Sequence, residues 1–134
     1  MIRQAKSSDL NFIKKTWFET FESSAFGRSL SPGIYGKHYA ALIDQLVTDS
    51  GILVLADDET EDVILAWCAY EGRTLHYVFV REDFRGLGYA RDLLSQVPTL
   101  RAYSHRTIDW QRISPRLAKS WDYNPFYAFS KARP

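Results

Sequence analysis

Apolar positions along this chain change period twice. Leu10, Ile13, Trp17 and Phe21 recur at helical spacing, with Ser8 or Asp9 as the helix cap, behind Ile2-Arg3-Gln4-Ala5, which reads as a short first strand. Tyr35, Tyr39, Leu42, Ile43 and Leu46 carry the stripe of a second helix. Ser31-Pro32 opens it as an N-cap followed by proline at the first helical position, and Phe26-Gly27-Arg28 before it is loop. From Gly51 the period shortens. Residues 51–56, 63–70 and 75–80 are apolar runs separated by an acidic turn (57–62) and by Glu71-Gly72-Arg73, a spacing that predicts antiparallel strands.

After Val80 the pattern becomes helical again. A glycine-bearing turn, Arg85-Gly86-Leu87-Gly88-Tyr89-Ala90, leads into a helix from Ala90 to about Val97, where Pro98 stops it. Residues 100–104 form another strand, parallel to the strand before the turn through a right-handed crossover. Ser114-Pro115 opens a short helix through Trp121, and the tail 123–129 is extended, with Pro125 confining it to an edge or bend. The order is β-α-α-β-β-β-α-β-α-β, an α/β chain with a mixed sheet. There are no repeats or linkers, so 1–134 is one domain, long enough to bury about two-thirds of its unfolded surface.

The turn at 85–90 is the most informative chemistry. Glycines let backbone approach a ligand, and the free N–H groups of a helix start, with the dipole behind them, favour an anion such as a pyrophosphate. Neither the Gly-x-Gly-x-x-Gly fingerprint nor a Gly-Lys-Ser/Thr ending is present.

Composition narrows the rest. Formal charge is +1, yet from Arg101 onward seven of the 17 Lys/Arg face only Asp109 and Asp122. This basic C-terminal third suits either a phosphate-rich ligand or nucleic acid, or is a solvated mixed surface. Cys68 is the one cysteine, so no internal disulfide forms and a cytoplasmic location is expected; in its apolar run it reads as a small hydrophobe. His38, His76 and His105 are too scattered for zinc spacing, and no metal is expected. Arg3, Lys6 and Asp9 argue against a signal peptide, and no stretch is long enough to span a membrane.

The turn resembles the coenzyme A loop of the GNAT acetyltransferases, Arg/Gln-x-x-Gly-x-Gly/Ala, with Arg85, Gly88 and Ala90 in the three defining places. The strand before it, the Leu93-Leu94 helix after it and the element order are similar to that fold over nearly the whole chain. The Trp17 helix, the Tyr39 helix and Leu75-His76-Tyr77-Val78-Phe79-Val80 also resemble small GNAT-like proteins of tailed phages. The resemblance implies an N-acetyltransferase that takes acetyl-coenzyme A as co-substrate. The pantetheine arm would pair with exposed backbone at Phe79 and Val80, near a Phe79 N–H that stabilises developing charge. The amides of Arg85, Gly86, Leu87, Gly88, Tyr89 and Ala90 would hold the pyrophosphate.

Many members of that family place a Glu on the fourth strand as general base; this chain has none within 75–80. His76 is the titratable group there, either as base or packed among aromatics. Tyr123 and Tyr127 lie where the family supplies a phenol to protonate the leaving thiolate. Ser104-His105 with Asp109 suggests a hydrolase triad, but no nucleophile elbow surrounds the serine. Trp17, Phe18, Phe21, Phe26, Tyr35 and Tyr39 are core or, where exposed, a flat-sided acceptor pocket for a small-molecule or protein amine. With the basic C-terminal third, that pocket also fits a nucleic-acid base modifier similar to the phage Mom proteins. A GNAT-fold binding protein without catalysis is the third reading.

Overall fold

The computed structural model describes residues 1–23, 32–104 and 121–124. Strand β1 (Ile2–Gln4) passes through a short 3-10 turn (Ser7–Asp9) into helix α1 (Leu10–Ser23), and α2 (Pro32–Asp49) precedes β2 (Gly51–Ala56), β3 (Ile64–Glu71) and β4 (Thr74–Val80). A second 3-10 turn (Glu82–Phe84) leads to α3 (Tyr89–Ser95), followed by β5 (Ala102–Tyr103) and β6 (Asp122–Tyr123). Among the described residues six strands lie in sequence order, antiparallel from β1 to β4 and parallel from β4 to β6. The expected helix at 114–121 and the tail beyond Asn124 fall outside the described residues, as do Phe26, Ser31, His105, Asp109 and Tyr127.

Strands β2 and β3 are buried almost throughout, because both faces of the sheet are covered. On one face Leu93 and Leu94 of α3 pack with Leu53, Leu65, Val78 and Val80. On the other, Ile13 and Trp17 of α1 and Leu42, Ile43 and Leu46 of α2 pack with Val54, Trp67 and Tyr77. Trp17 lies within 5.3 Å of Trp67 and stacks on Tyr77 at 6.1 Å, so it belongs to the core rather than to an acceptor pocket.

The entry to α1 differs in detail from the simple cap expected. Asp9 folds back, and its carboxylate accepts the Lys6 N–H at 2.7 Å, half of a capping box. The same carboxylate receives the Arg3 guanidinium at 2.7 Å while itself only 4% exposed. Arg3 therefore holds the Asp9 carboxyl below the usual carboxylate range, aided by the Lys6 amide.

Candidate active site

Strand β4 changes partners along its length. Its first residues pair with β3 on one side and, through Thr74↔Ala102 and Leu75↔Tyr103, with β5 on the other. The last bond on the β5 side runs from the Ser104 N–H to the Leu75 carbonyl at 3.0 Å. Beyond it, among the described residues, β4 continues to Val80 paired with β3 alone. Among the described residues, none pairs with β4 on its β5 side from His76 to Val80.

Ladder parity decides which backbone groups of β4 face away from β3. The Arg81 N–H donates to the Leu65 carbonyl at 3.0 Å, and Trp67↔Phe79 is a register pair. Alternation along an antiparallel ladder then turns the Phe79 N–H and C=O toward β3, and those of Val78 and Val80 away from it. Arg85 agrees, since its Nε donates to the Val80 carbonyl at 3.2 Å. The expectation that Phe79 offers exposed backbone is corrected accordingly: β3 engages its backbone, whereas the backbones of Val78 and Val80 face away from β3. The Phe79 side chain instead lies on the α1 face, 6.1 Å from the Phe12 ring, which also carries the Arg81 guanidinium at 4.6 Å.

The glycine turn follows the end of β4, between the second 3-10 turn and α3. Gly86 and Gly88 both have φ of +84°, a conformation costly to residues bearing a Cβ, and a Cβ at either would meet nothing within 4 Å. Both glycines therefore face clear space, as a backbone cradle for a phosphate requires. Gly88 is the N-cap of α3, so the helix begins at Tyr89, one residue earlier than expected, and ends at Ser95 rather than Val97. The first closing bond is from the Asp92 N–H to the Gly88 carbonyl, which leaves the first-turn amides of Tyr89, Ala90 and Arg91 without helical acceptors. Phe84 stacks on Tyr89 at 6.2 Å and braces the turn; Leu87 at its tip is 61% exposed.

His76 does not face a cleft. It is 1% exposed, with Nδ1 2.7 Å from the Ser104 Oγ and Nε2 3.1 Å from a Glu71 carboxylate oxygen. An imidazole held at both nitrogens cannot itself meet a substrate. Glu71, at the end of β3, was not singled out from the sequence; its only signal is a carboxylate beside a tight turn. The partners expected for Ser104, His105 and Asp109, lie outside the described residues.

Tyr123 lies on β6 with its ring 5.3 Å from Tyr103 and is 39% exposed. Tyr39 on α2 is held above the usual phenol range, chiefly by burial and further by the neighbouring Tyr123. Burial pushes the Cys68 thiol up to about 12, which keeps it protonated and unreactive. Among the described residues no group of three or more His, Cys, Asp or Glu side chains is placed to hold a metal, and no helix is long and apolar enough to cross a membrane. The basic residues Arg106, Arg112, Arg116 and Lys119, which motivated a nucleic-acid reading, lie outside the described residues.

No protein-family model and no curated protein matches the sequence. Solved structures do match. A possible acetyltransferase from Clostridium difficile 630 is 18% identical, over 92% of this chain and 93% of that one, with a TM-score of 0.58. Apo YjaB from Escherichia coli is 18% identical over 72% of this chain, with a TM-score of 0.53, and the match spans 62% of YjaB. A histone acetyltransferase HPA2 and related acetyltransferase from Corynebacterium glutamicum ATCC 13032 gives 18% identity and a TM-score of 0.53, over 72% of this chain and 68% of that one. The fold is that of the GNAT acetyltransferases.

Proposed function

We propose that this chain is an acetyl-coenzyme A-dependent N-acetyltransferase. The observation that carries the reading is the glycine turn after β4: Gly86 and Gly88, both at φ +84°, lead straight into helix-start amides that have no helical acceptor. The pantetheine amides pair with the outward backbone of Val78 and Val80, and the pyrophosphate lies against Gly86–Ala90. Acetyl-coenzyme A supplies an acetyl thioester, whose carbonyl carbon the acceptor amine attacks. A β4 amide facing away from β3 stabilises the charge that develops on the carbonyl oxygen. A phenol gives its proton to the departing thiolate; its reference pKa of about 10 keeps a phenol protonated near neutral pH and so able to act as a general acid. Tyr123, paired with Tyr103 of β5, is the candidate among the described residues.

The test is acetyl transfer to a panel of amines of different classes, a polyamine, an aminoglycoside and a peptide N-terminus, followed by release of free thiol. Release that requires both protein and amine supports the reading. A folded protein that neither binds coenzyme A nor releases thiol overturns it.

A further inference from the structure

Arg81 is a cation held in place without a counter-ion. It follows the last residue of β4, and its Nε donates to the Ile64 carbonyl at the start of β3. Its guanidinium carbon lies 4.6 Å from the centroid of the Phe12 ring on α1. Two elements therefore fix the planar group. Among the described residues no carboxylate lies within ion-pair distance of Arg81, and neither Nη has an acceptor. Glu82 and Asp83, next in the chain, are exposed and turn elsewhere. Arg3, by contrast, is neutralised by Asp9.

The face on which Arg81 stands sets it apart from the glycine turn. Side chains alternate along a strand, so Arg81 shares a face with Phe79, and both meet Phe12. That is the α1–α2 side of the sheet, whereas Leu93 and Leu94 of α3 pack on the other. The guanidinium thus stands across the sheet from α3, which argues against it as a ligand of a pyrophosphate at that helix's start. Phe79 is the one residue of β4 that is not buried, and Phe12 is half-buried as well. Phe79 is braced from beneath by Trp67, stacked at 6.0 Å. The result is an apolar shelf, Phe12 and Phe79, bordered by a fixed positive charge.

Resting on the acetyltransferase reading, we propose that Arg81 selects the acceptor: an amine that also carries a carboxylate and an apolar side chain, the chemistry of a free amino acid. The carboxylate takes the two Nη donors as a bidentate pair, the geometry to which a guanidinium fork is matched. The apolar part rests on Phe12 and Phe79 and shields that pair from water, which strengthens it. Little ordering is needed, because the Ile64 carbonyl and the Phe12 ring already hold the guanidinium. A single positive charge, with Glu82 and Asp83 beside it in the chain, matches a monoanionic carboxylate better than a dianionic phosphate. Val80, immediately before Arg81, turns its backbone away from β3, where the pantetheine arm pairs in the parent reading. The acceptor is thereby anchored one residue from the coenzyme's path. Arg81 is a specificity residue: it touches no reacting atom, and the transfer step is unchanged.

The test compares L-phenylalanine, L-phenylalaninamide and phenethylamine as acceptors, by thiol release from acetyl-coenzyme A. All share an amine and a ring, and the first alone has a carboxylate. Wild type is expected to have a KM for phenylalanine about 10- to 100-fold below those for the other two, the size of a charge-assisted pair. Arg81→Gln raises the phenylalanine KM by that factor, changes kcat by less than about threefold, and leaves the other two acceptors alone, the pattern of lost uniform binding. Arg81→Lys keeps the charge without the fork and recovers part of the preference. An arginine with a structural role only would change all the acceptors alike. Coenzyme A affinity stays within about a factor of two throughout, because the shelf lies across the sheet from α3. No preference in wild type, or a preference that survives in Arg81→Gln, overturns the proposal. Weakened coenzyme A binding by Arg81→Gln overturns it too, since the guanidinium then serves the coenzyme. Should Arg81→Gln fail to fold, the wild-type ranking and Arg81→Lys decide. Wild type that binds coenzyme A yet acetylates none of these amines overturns the proposal and leaves the parent reading standing. Wild type that binds no coenzyme A defeats the parent reading, and this one with it.

Discussion

Gly88 offers a substitution whose conformational and electrostatic effects separate cleanly. At φ +84°, with nothing within 4 Å of a built Cβ, Gly88→Ala meets no protein atom, so its cost is the left-handed backbone alone, about 1–2 kcal/mol. For a chain of this size that lowers Tm by roughly 3–10 °C. Asn and Asp tolerate the left-handed region better, so Gly88→Asn and Gly88→Asp fold with less strain than Ala and differ from each other only in charge. A carboxylate about 6 Å from a bound pyrophosphate oxygen, at an effective dielectric of about 20, opposes binding by about 3 kcal/mol, a loss of about 100-fold in affinity. Calorimetric titration with coenzyme A therefore ranks wild type and Asn close together and Asp about two decades weaker, with the gap narrowing in high salt. Equal affinity for Asn and Asp refutes the placement of a pyrophosphate at this turn.

Other positions give sharp outcomes. Asp9→Asn removes the charge that Arg3 and the Lys6 amide bind, and costs about 2 kcal/mol near neutral pH. Because the folded Asp9 carboxyl is depressed, this stability is present above its unfolded pKa of about 3.9 and is lost as pH falls through the lower folded value. Acid unfolding followed by circular dichroism should show the variant converging on wild type in that window. Tyr123→Phe should lower kcat about 10²-fold with coenzyme affinity unchanged, a pattern readable from steady-state kinetics beside a binding titration. Leu93→Ala, at a fully buried position of α3, should cost about 3 kcal/mol in urea unfolding. It should also weaken coenzyme binding, since a seven-residue helix holds the glycine turn only through its packing.

Most of the fold was legible because periodicity and turn chemistry agree. The stripes of α1 and α2, the three apolar runs and the Gly72 and Pro98 breaks placed every strand from β1 to β5 within a few residues. The start of α3 shifted by one because Gly88, read as part of the turn, is itself the cap. Two features of the site were not legible for a physical reason. Whether the Phe79 or the Val78 backbone faces away from β3 depends on the β3–β4 register, and a bulge at His76 resets that register. Local pattern carries no trace of it. The union of Ser104, His76 and Glu71 likewise requires the parallel rung Leu75↔Tyr103, a contact between residues 28 apart. The sequence showed a histidine on β4 but not that Ser104 and Glu71 hydrogen-bond to its two ring nitrogens.

Amide NMR during titration of the isotope-labelled protein with coenzyme A tests the central claim most directly, because it reports binding residue by residue without an acceptor. The account predicts the largest shifts at Val78, Val80 and the amides from Gly86 to Ala90, smaller ones at Phe79, whose N–H faces β3, and little change along β1 and β2. Saturable binding whose shifts avoid the β4 edge and the glycine turn, or no binding at all, contradicts it.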